Sequence, residues 1–485
     1  MGPGPQPGAG EVEDLAGFDR QRARDGADHR VIAAEVVALA ARLTGEVLTP
    51  GDSGYDPARR VFNGMIDRRP AAIALCASVD DVRYAVEFGR RLDLRIAVRG
   101  GGHNVAGNGT CEGGLLISLA GLRSVRVDGA RGLARTGGGA TWGDFDRATM
   151  AHGRATPGGI VSTTGVAGLT LGGGIGVLRG RHGLTCDNLV GAEVVTAGGG
   201  VVRAGPEGDP ALLWGLRGGG GNFGVVTDLE FAVHPQGDVV SGPVEFGYGD
   251  PSGFLRFYRD YTAKLPDEFA CDLLLRSGPD GEPRFTLLTC WSGDPDRAVP
   301  VYEPLRARGP INDGAARRTY VEAQALFDQA SPWGQRNYWK SNGMAALTDE
   351  AIAAIVEVFE ARPGPLCQVQ FEHLHGAMHR TERSASAIGF HEATYNLLIN
   401  AKWLDPSGDE ENMAWARASF AALQPFVAGG AYVNYLLQEP QERIRAAYGE
   451  GVYDGLSRLK AVYDPDNVFR LNQNIQPGTA SRRRT

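Results

Sequence analysis

Three consecutive glycines stand directly before a histidine in Arg99-Gly100-Gly101-Gly102-His103-Asn104. Without β-carbons, backbone can turn tightly there and press against a ligand. Upstream, Ser78-Val79-Asp80-Asp81 has the form of a helix N-cap with acids in the first turn. Val79, Val82 and Val86 then recur at helical spacing up to Leu92. Arg95-Ile96-Ala97-Val98 predicts a short buried strand. His103 therefore lies on a loop leaving a helix–strand unit, placed for chemistry on something bound there.

The other glycines extend this pattern. There are 70 in 485 residues, about twice average usage, and they are clustered rather than periodic. Clustering excludes collagen and predicts tight turns and ligand-facing loops. Gly219-Gly220-Gly221-Asn222-Phe223-Gly224 fits the dinucleotide fingerprint, but a helix precedes it and a strand follows. That order is reversed, so a Rossmann site is rejected. No P-loop is present. Gly168-Leu169-Thr170-Leu171-Gly172-Gly173-Gly174-Ile175-Gly176 is a second bare-backbone loop, suited to a pyrophosphate or a flat ring.

The length predicts two domains. Residues 28–236 are rich in glycine and short strand-like runs, among them Leu115–Leu119, Ser124–Val127 and a hairpin over 192–203. A helix is predicted from Trp142 to His152. Residues 237–420 alternate strand-like runs (Leu273–Leu275, Phe285–Leu288, Cys367–Phe371) with helices over 252–265 and 349–361. That is an α+β pattern, an antiparallel sheet with helices on one face. Residues 421–485 return to helix, predicted over 441–462. Residues 1–27 are polar and Pro/Gly-rich and are expected to be disordered.

Charge and cysteines narrow the setting. A net charge of -8 gives no general attraction to nucleic acid or anionic membrane. Arg482-Arg483-Arg484 reads as a tail. No run approaches 18 apolar residues, so no membrane span is expected. No apolar leader follows Met1, so no secretory signal is expected. The six cysteines form no CxxC pair and are expected to be buried free thiols in a reducing cytoplasm.

Taken together, the motifs are specific. Arg99-Gly-Gly-Gly-His103-Asn-Val-Ala-Gly107 resembles the covalent flavin loop of the berberine-bridge-enzyme-like oxidases, within the vanillyl-alcohol-oxidase superfamily of FAD proteins. The segments 165–176, 181–188 and 213–220 are similar to later parts of that family's FAD domain. Tyr432-Val433-Asn434-Tyr435 matches its Tyr-x-Asn motif, and Phe469 to Ile475 its C-terminal signature. The resemblance covers residues 45–477. It implies a two-domain PCMH-type FAD-binding fold, with 28–236 as the FAD-binding domain, 237–420 as the substrate domain, and 421–485 returning to the FAD side.

The resemblance also implies that a ring nitrogen of His103 is bonded to the flavin 8α-methyl carbon. It assigns cofactor contacts to Arg99, Gly100, Gly101, Gly102, Asn104, Val105 and Gly107. Further contacts fall to Pro157, Gly158, Gly165, Gly168, Thr170, Leu171, Gly172, Gly173, Gly174 and Gly176, and to Asp187, Val195, Asn472 and Asn474. Many relatives carry a second link through Cys. Val161 stands at that position, which implies a single link.

For catalysis, the resemblance places Tyr432 as base. A tyrosine near pKa 10 needs a cation or strong donor beside it to act near neutrality. On the strand Tyr395–Trp403, relatives supply Lys or Glu/Gln where this chain has Asn396 and Leu398. Lys402, on the same face as Leu398, is a substitute candidate. Gln370 and Glu372 share a strand face, and Glu372 is a backup base. Asn434 is expected to position ring or substrate. His373, His375 and His379 complete no standard metal pattern, so no metal is expected. Trp291, Tyr320, Trp333, Tyr338 and Trp339 are candidate pocket aromatics.

The expected function is oxidation of an alcohol or amine C–H in a small molecule (a sugar, glycoside or secondary metabolite), with O2 reoxidising the flavin. Asn108, unlike the apolar residue usual there in relatives, leaves a flavin dehydrogenase with another acceptor open. A flavoprotein that only binds a metabolite is the third alternative. An Ala-, Arg- and Gly-rich composition points to a high-GC bacterial source.

Overall fold

The computed structural model describes residues 34–428 and 430–478. The predicted tail 1–27 and the arginine run 482–484 lie outside them.

Ser78 closes a capping box on the helix Val79–Arg91. Its Oγ accepts the Asp81 amide at 3.1 Å, and the Asp81 carboxylate turns back onto the Ser78 amide. The same carboxylate accepts the amides of Thr44 and Gly45, tying the helix start to the preceding chain. Val82, Ala85, Val86 and Phe88 are buried in a core shared with a four-stranded sheet. That sheet runs Glu46–Leu48, Ala72–Leu75, Leu115–Ser118, Ile96–Arg99, the last three parallel. The chain leaves Arg99 straight into Gly100.

A second, antiparallel sheet has the order Val125–Asp128, Leu133–Gly137, Val225–Ala232, Leu189–Val195, Val201–Ala204. Its last two strands form the expected hairpin. The helix predicted over 142–152 spans Trp142–Met150 and is capped by Thr141.

From Val239 to Trp403 the chain builds an eight-stranded antiparallel sheet. Alternation sorts its central strands, Phe269–Ser277, Gln368–His373 and Tyr395–Trp403, into two faces. Leu273, Leu275, Val369, Phe371, Leu397 and Ile399 pack with residues of the helices Pro251–Thr262, Asp349–Glu360 and Asp409–Leu423. Each such side chain contributes about 1.5–3 kcal/mol when fully buried. Leu274, Arg276, Gln368, Gln370, Leu398, Asn400 and Lys402 take the opposite face and line a cavity.

Beyond Leu423 the chain crosses back. Ala431, Val433, Leu436, Ile444, Tyr453 and Ile475 share one hydrophobic core with Trp142, Phe145, Leu212 and Phe231. The helix predicted over 441–462 is two helices, Gln441–Tyr448 and Glu450–Tyr463. Gly449 parts them at φ 77, a left-handed conformation that ends a helix. Among the described residues, no helix is long and apolar enough to cross a membrane.

Candidate active site

The two glycine loops meet back to back. A β-carbon on Gly101 would sit 2.3 Å from the Gly165 nitrogen, and one on Gly165 equally close to that of Gly101. Neither contact is tolerable, so both positions require glycine. Between these loops and the large sheet lies a cavity of about 800 Å³.

His103 hangs into it from the first loop. Its ring stacks on Phe62 with centroids 4.8 Å apart, and Trp333 meets it edge-on at 5.5 Å. Nε2 lies 2.9 Å from Thr163 Oγ1. Burial pulls the pKa down to about 4 against the opposing pull of Asp328. The imidazole is therefore neutral near pH 7, with a nitrogen lone pair for bonding. Arg99 anchors the loop by donating to the carbonyls of Arg60, at 3.0 Å, and Ala58.

Among the expected cofactor contacts, Arg99, Gly100, Gly101, Gly102, Asn104, Gly165, Gly168, Leu171, Gly172 and Asn472 line the cavity with His103. Others stand behind the wall. Val105 is buried, its carbonyl accepting from Asn63. Gly107 packs on Ile66, and Gly158, following buried Pro157, on Trp142. Thr170 Oγ1 donates to the Val166 carbonyl. Gly173 holds φ 121 in the turn behind the loop, Gly174 abuts Thr185, and Gly176 abuts the Gly158 carbonyl. Asp187 accepts the Leu184 amide and shapes the turn at Gly183. Val195 is in the core beside Val225, and the Asn474 carbonyl accepts from Gln441. None of these residues lines the cavity.

Tyr432 and Asn434 are on the wall. Their segment is a 3-10 turn, Val433–Tyr435, rather than a strand. Residues three apart eclipse in such a turn, which brings Tyr435 beside Tyr432 with ring centroids 4.7 Å apart. Asn434 Nδ2 donates to both Tyr432 Oη and the Leu169 carbonyl, each at 2.9 Å. Burial nevertheless holds the Tyr432 phenol well above its ordinary pKa, outweighing Asn434 and the amides of Ile175 and Gly174.

Tyr435, which sequence reasoning did not single out, also lines the cavity. Its Oη donates to Glu372 Oε1 at 2.7 Å. Glu372 is 1% exposed and not on the wall. Its other oxygen accepts from Asn396 Nδ2 at 2.7 Å, and Ser341 Oγ donates to Asn396 Oδ1. Burial, then the nearby Asp272, pushes the Glu372 pKa up to about 7. The Asn396 that replaces the expected lysine thus holds this carboxylate.

Lys402 lines the far end of the cavity, where burial and Arg276 lower its pKa to about 8. Of the candidate aromatics, Trp339 is on the wall and Trp333 contacts His103. Trp291 and Tyr320 are in hydrophobic cores, and Tyr338 pairs with Arg417 away from the wall. Among the described residues no His, Cys, Asp or Glu cluster suits a metal. His373 and His375 stack on each other, while His375 and His379 face the carbonyls of Pro266 and Ala393. All six cysteines are buried and free, and none lines the cavity, whereas Val161 does.

The wall suits FAD. Bare glycine backbone admits a flat ring and a pyrophosphate. Farther along, Tyr448 Oη and Asn472 Oδ1 are buried on residues of the wall without a protein partner, as expected where a polar ligand completes them.

Comparison with known proteins agrees. Residues 70–205 match the family described as FAD binding domain, and residues 431–476 that described as berberine and berberine like. The chain is 31% identical over 449 residues to (R)-6-hydroxynicotine oxidase of Paenarthrobacter nicotinovorans, covering 90% of this chain and 97% of the relative. It is 27% identical over 465 residues to glucooligosaccharide oxidase of Sarocladium strictum, covering 87% and 91%. The crystal structure of 6-hydroxy-D-nicotine oxidase from Arthrobacter nicotinovorans superposes with TM-score 0.84 at 29% identity, covering 90% and 98%. The chain therefore belongs to the berberine-bridge-enzyme-like FAD-linked oxidoreductases, and its fold is the two-domain PCMH-type FAD-binding fold.

Proposed function

We propose that this enzyme is an oxidase that removes hydride from a carbon bearing a hydroxyl or amine, with FAD tethered through His103 alone. The observation carrying the catalytic part is the Tyr435–Glu372 hydrogen bond at the cavity wall. FAD, when bound, supplies the hydride acceptor. Tyr435 takes the proton of the substrate hydroxyl or amine as its own phenolic proton passes to Glu372 Oε1. Asn396 holds the receiving carboxylate, and Asn434 fixes Tyr432 beside Tyr435. Leu398 and Trp339 keep this part of the cavity apolar.

The neutral His103 imidazole and the surrounding glycine backbone support the single tether, as does valine at position 161. The tether prevents cofactor loss and favours uptake of hydride from poor donors. We take O2 as the acceptor that returns the flavin to its oxidised state. The relatives with oxidase names support that choice. Six buried free thiols support a reducing, cytoplasmic setting.

The test is anaerobic stopped-flow mixing with a panel of amines, sugars and secondary alcohols, followed by peroxide measurement in air. At least one class should bleach the flavin and yield peroxide. With that substrate, Tyr435→Phe should slow reduction by about 10²–10⁴-fold. An unchanged rate would remove Tyr435 from the proton path.

A further inference from the structure

The sheet face of the cavity carries more polar groups than hydride removal requires. Gln368 pairs across the ladder with Asn400, and Gln370 with Leu398. Gln368, Gln370, Asn400, Arg276 and Lys402 all line the cavity. Asn400 Oδ1 is buried without a partner. Arg276 is already compensated, donating to Glu245 Oε1 at 2.6 Å and to Thr286 Oγ1 at 2.8 Å. Lys402 is different. Its titratable neighbours are the Arg276 guanidinium and the Cys367 thiol, which burial keeps protonated and neutral. No carboxylate among the described residues pairs with its ammonium.

A half-buried cation without a counter-charge is costly unless a ligand supplies one. We propose that Lys402, with the Asn400 and Gln368 amides, binds a carboxylate on the substrate, at the end of the cavity away from Tyr435. One ammonium and the N–H groups of the neighbouring amides match the two oxygens of a carboxylate, and the unpartnered Asn400 Oδ1, an acceptor, is left for an N–H or O–H elsewhere on the ligand. A phosphate dianion calls for more positive charge than one uncompensated lysine provides. The substrate class is then an alcohol or amine with a carboxylate distant from the reacting carbon. This rests on the reading of the cavity as the substrate site.

Calorimetric titration of the FAD-loaded protein with benzoate and with benzamide tests it. The two probes share shape and differ in charge. The wild-type protein should bind benzoate about tenfold more tightly, and Lys402→Met should bring the two affinities together by weakening benzoate alone. Lys402→Arg should keep most of the preference. Retained benzamide binding in both variants shows that the cavity is intact. Equal affinities in the wild type, a preference that survives Lys402→Met, or binding of neither probe would overturn the assignment. Benzoate preference in a protein whose flavin no amine or alcohol bleaches would support the carboxylate site and reject the oxidase function.

Discussion

On the proposed proton path Glu372 suits the accepting role, because burial, then Asp272, raises its pKa to about 7. A carboxyl that titrates at about 7 releases and takes protons readily near neutrality. Only the ionised form accepts the proton that Tyr435 passes on. Flavin reduction should therefore be slow at low pH, rise as pH climbs through about 7, and level off above. Glu372→Gln should lose that rise, matching the slow wild-type reduction at low pH and falling behind it above about pH 7, while substrate binding holds. Stopped-flow traces of both proteins across pH 5.5–9 (an illustrative span of about two pH units around the Glu372 value) check this. Sequence placed Glu372 on a candidate strand face but could not pair it with Tyr435, 63 residues away. The resemblance favoured Tyr432 through its Tyr-x-Asn motif, and the 3-10 turn that sets Tyr435 beside it is not written in that motif.

At the scale of elements, local chemistry was the most legible. Ser78 and Asp81 announce their helix because a capping box needs only four residues. Ser78→Ala should cost about 1 kcal/mol, read from urea unfolding. The break at Gly449 was less legible, since helical spacing continues through it and only the φ of 77 distinguishes it. Asp146, on the helix Trp142–Met150, binds an element of the other half. Its Oδ2 accepts from Gln324 Nε2 at 3.2 Å, at the end of the helix Tyr320–Gln324. Burial raises its pKa to about 7, so the folded protein keeps a proton that the unfolded chain releases. Stability must then fall as pH rises from about 4 to about 7. Asp146→Asn should remove this dependence and gain on the wild type with rising pH, by up to about 4 kcal/mol above pH 7. Melting curves at pH 5 and pH 8 (about two pH units below and one above the folded value) decide the sign.

Across the whole molecule, one cavity is built by three separated stretches. Glycine loops form one wall, the eight-stranded sheet another, and the turn at Tyr432–Tyr435 closes them. Glycine runs and a strand–loop histidine are local patterns, so the glycine-loop wall of the cavity was visible in sequence. The polar row Gln368, Asn400 and Lys402 was not, because it exists only once the strands Gln368–His373 and Tyr395–Trp403 are in register. Residues 431–475 share a core with 134–233, so a chain ended after Leu423 should fail to give soluble flavin-loaded protein, as gel filtration with absorbance detection would show. His103→Ala should leave FAD that dissociates on acid precipitation. The most direct measurement is the mass of the proteolytic peptide containing His103. It should be heavier by one FAD, with fragmentation placing the added mass on that histidine. An unmodified peptide from flavin-loaded protein would contradict the proposed tether.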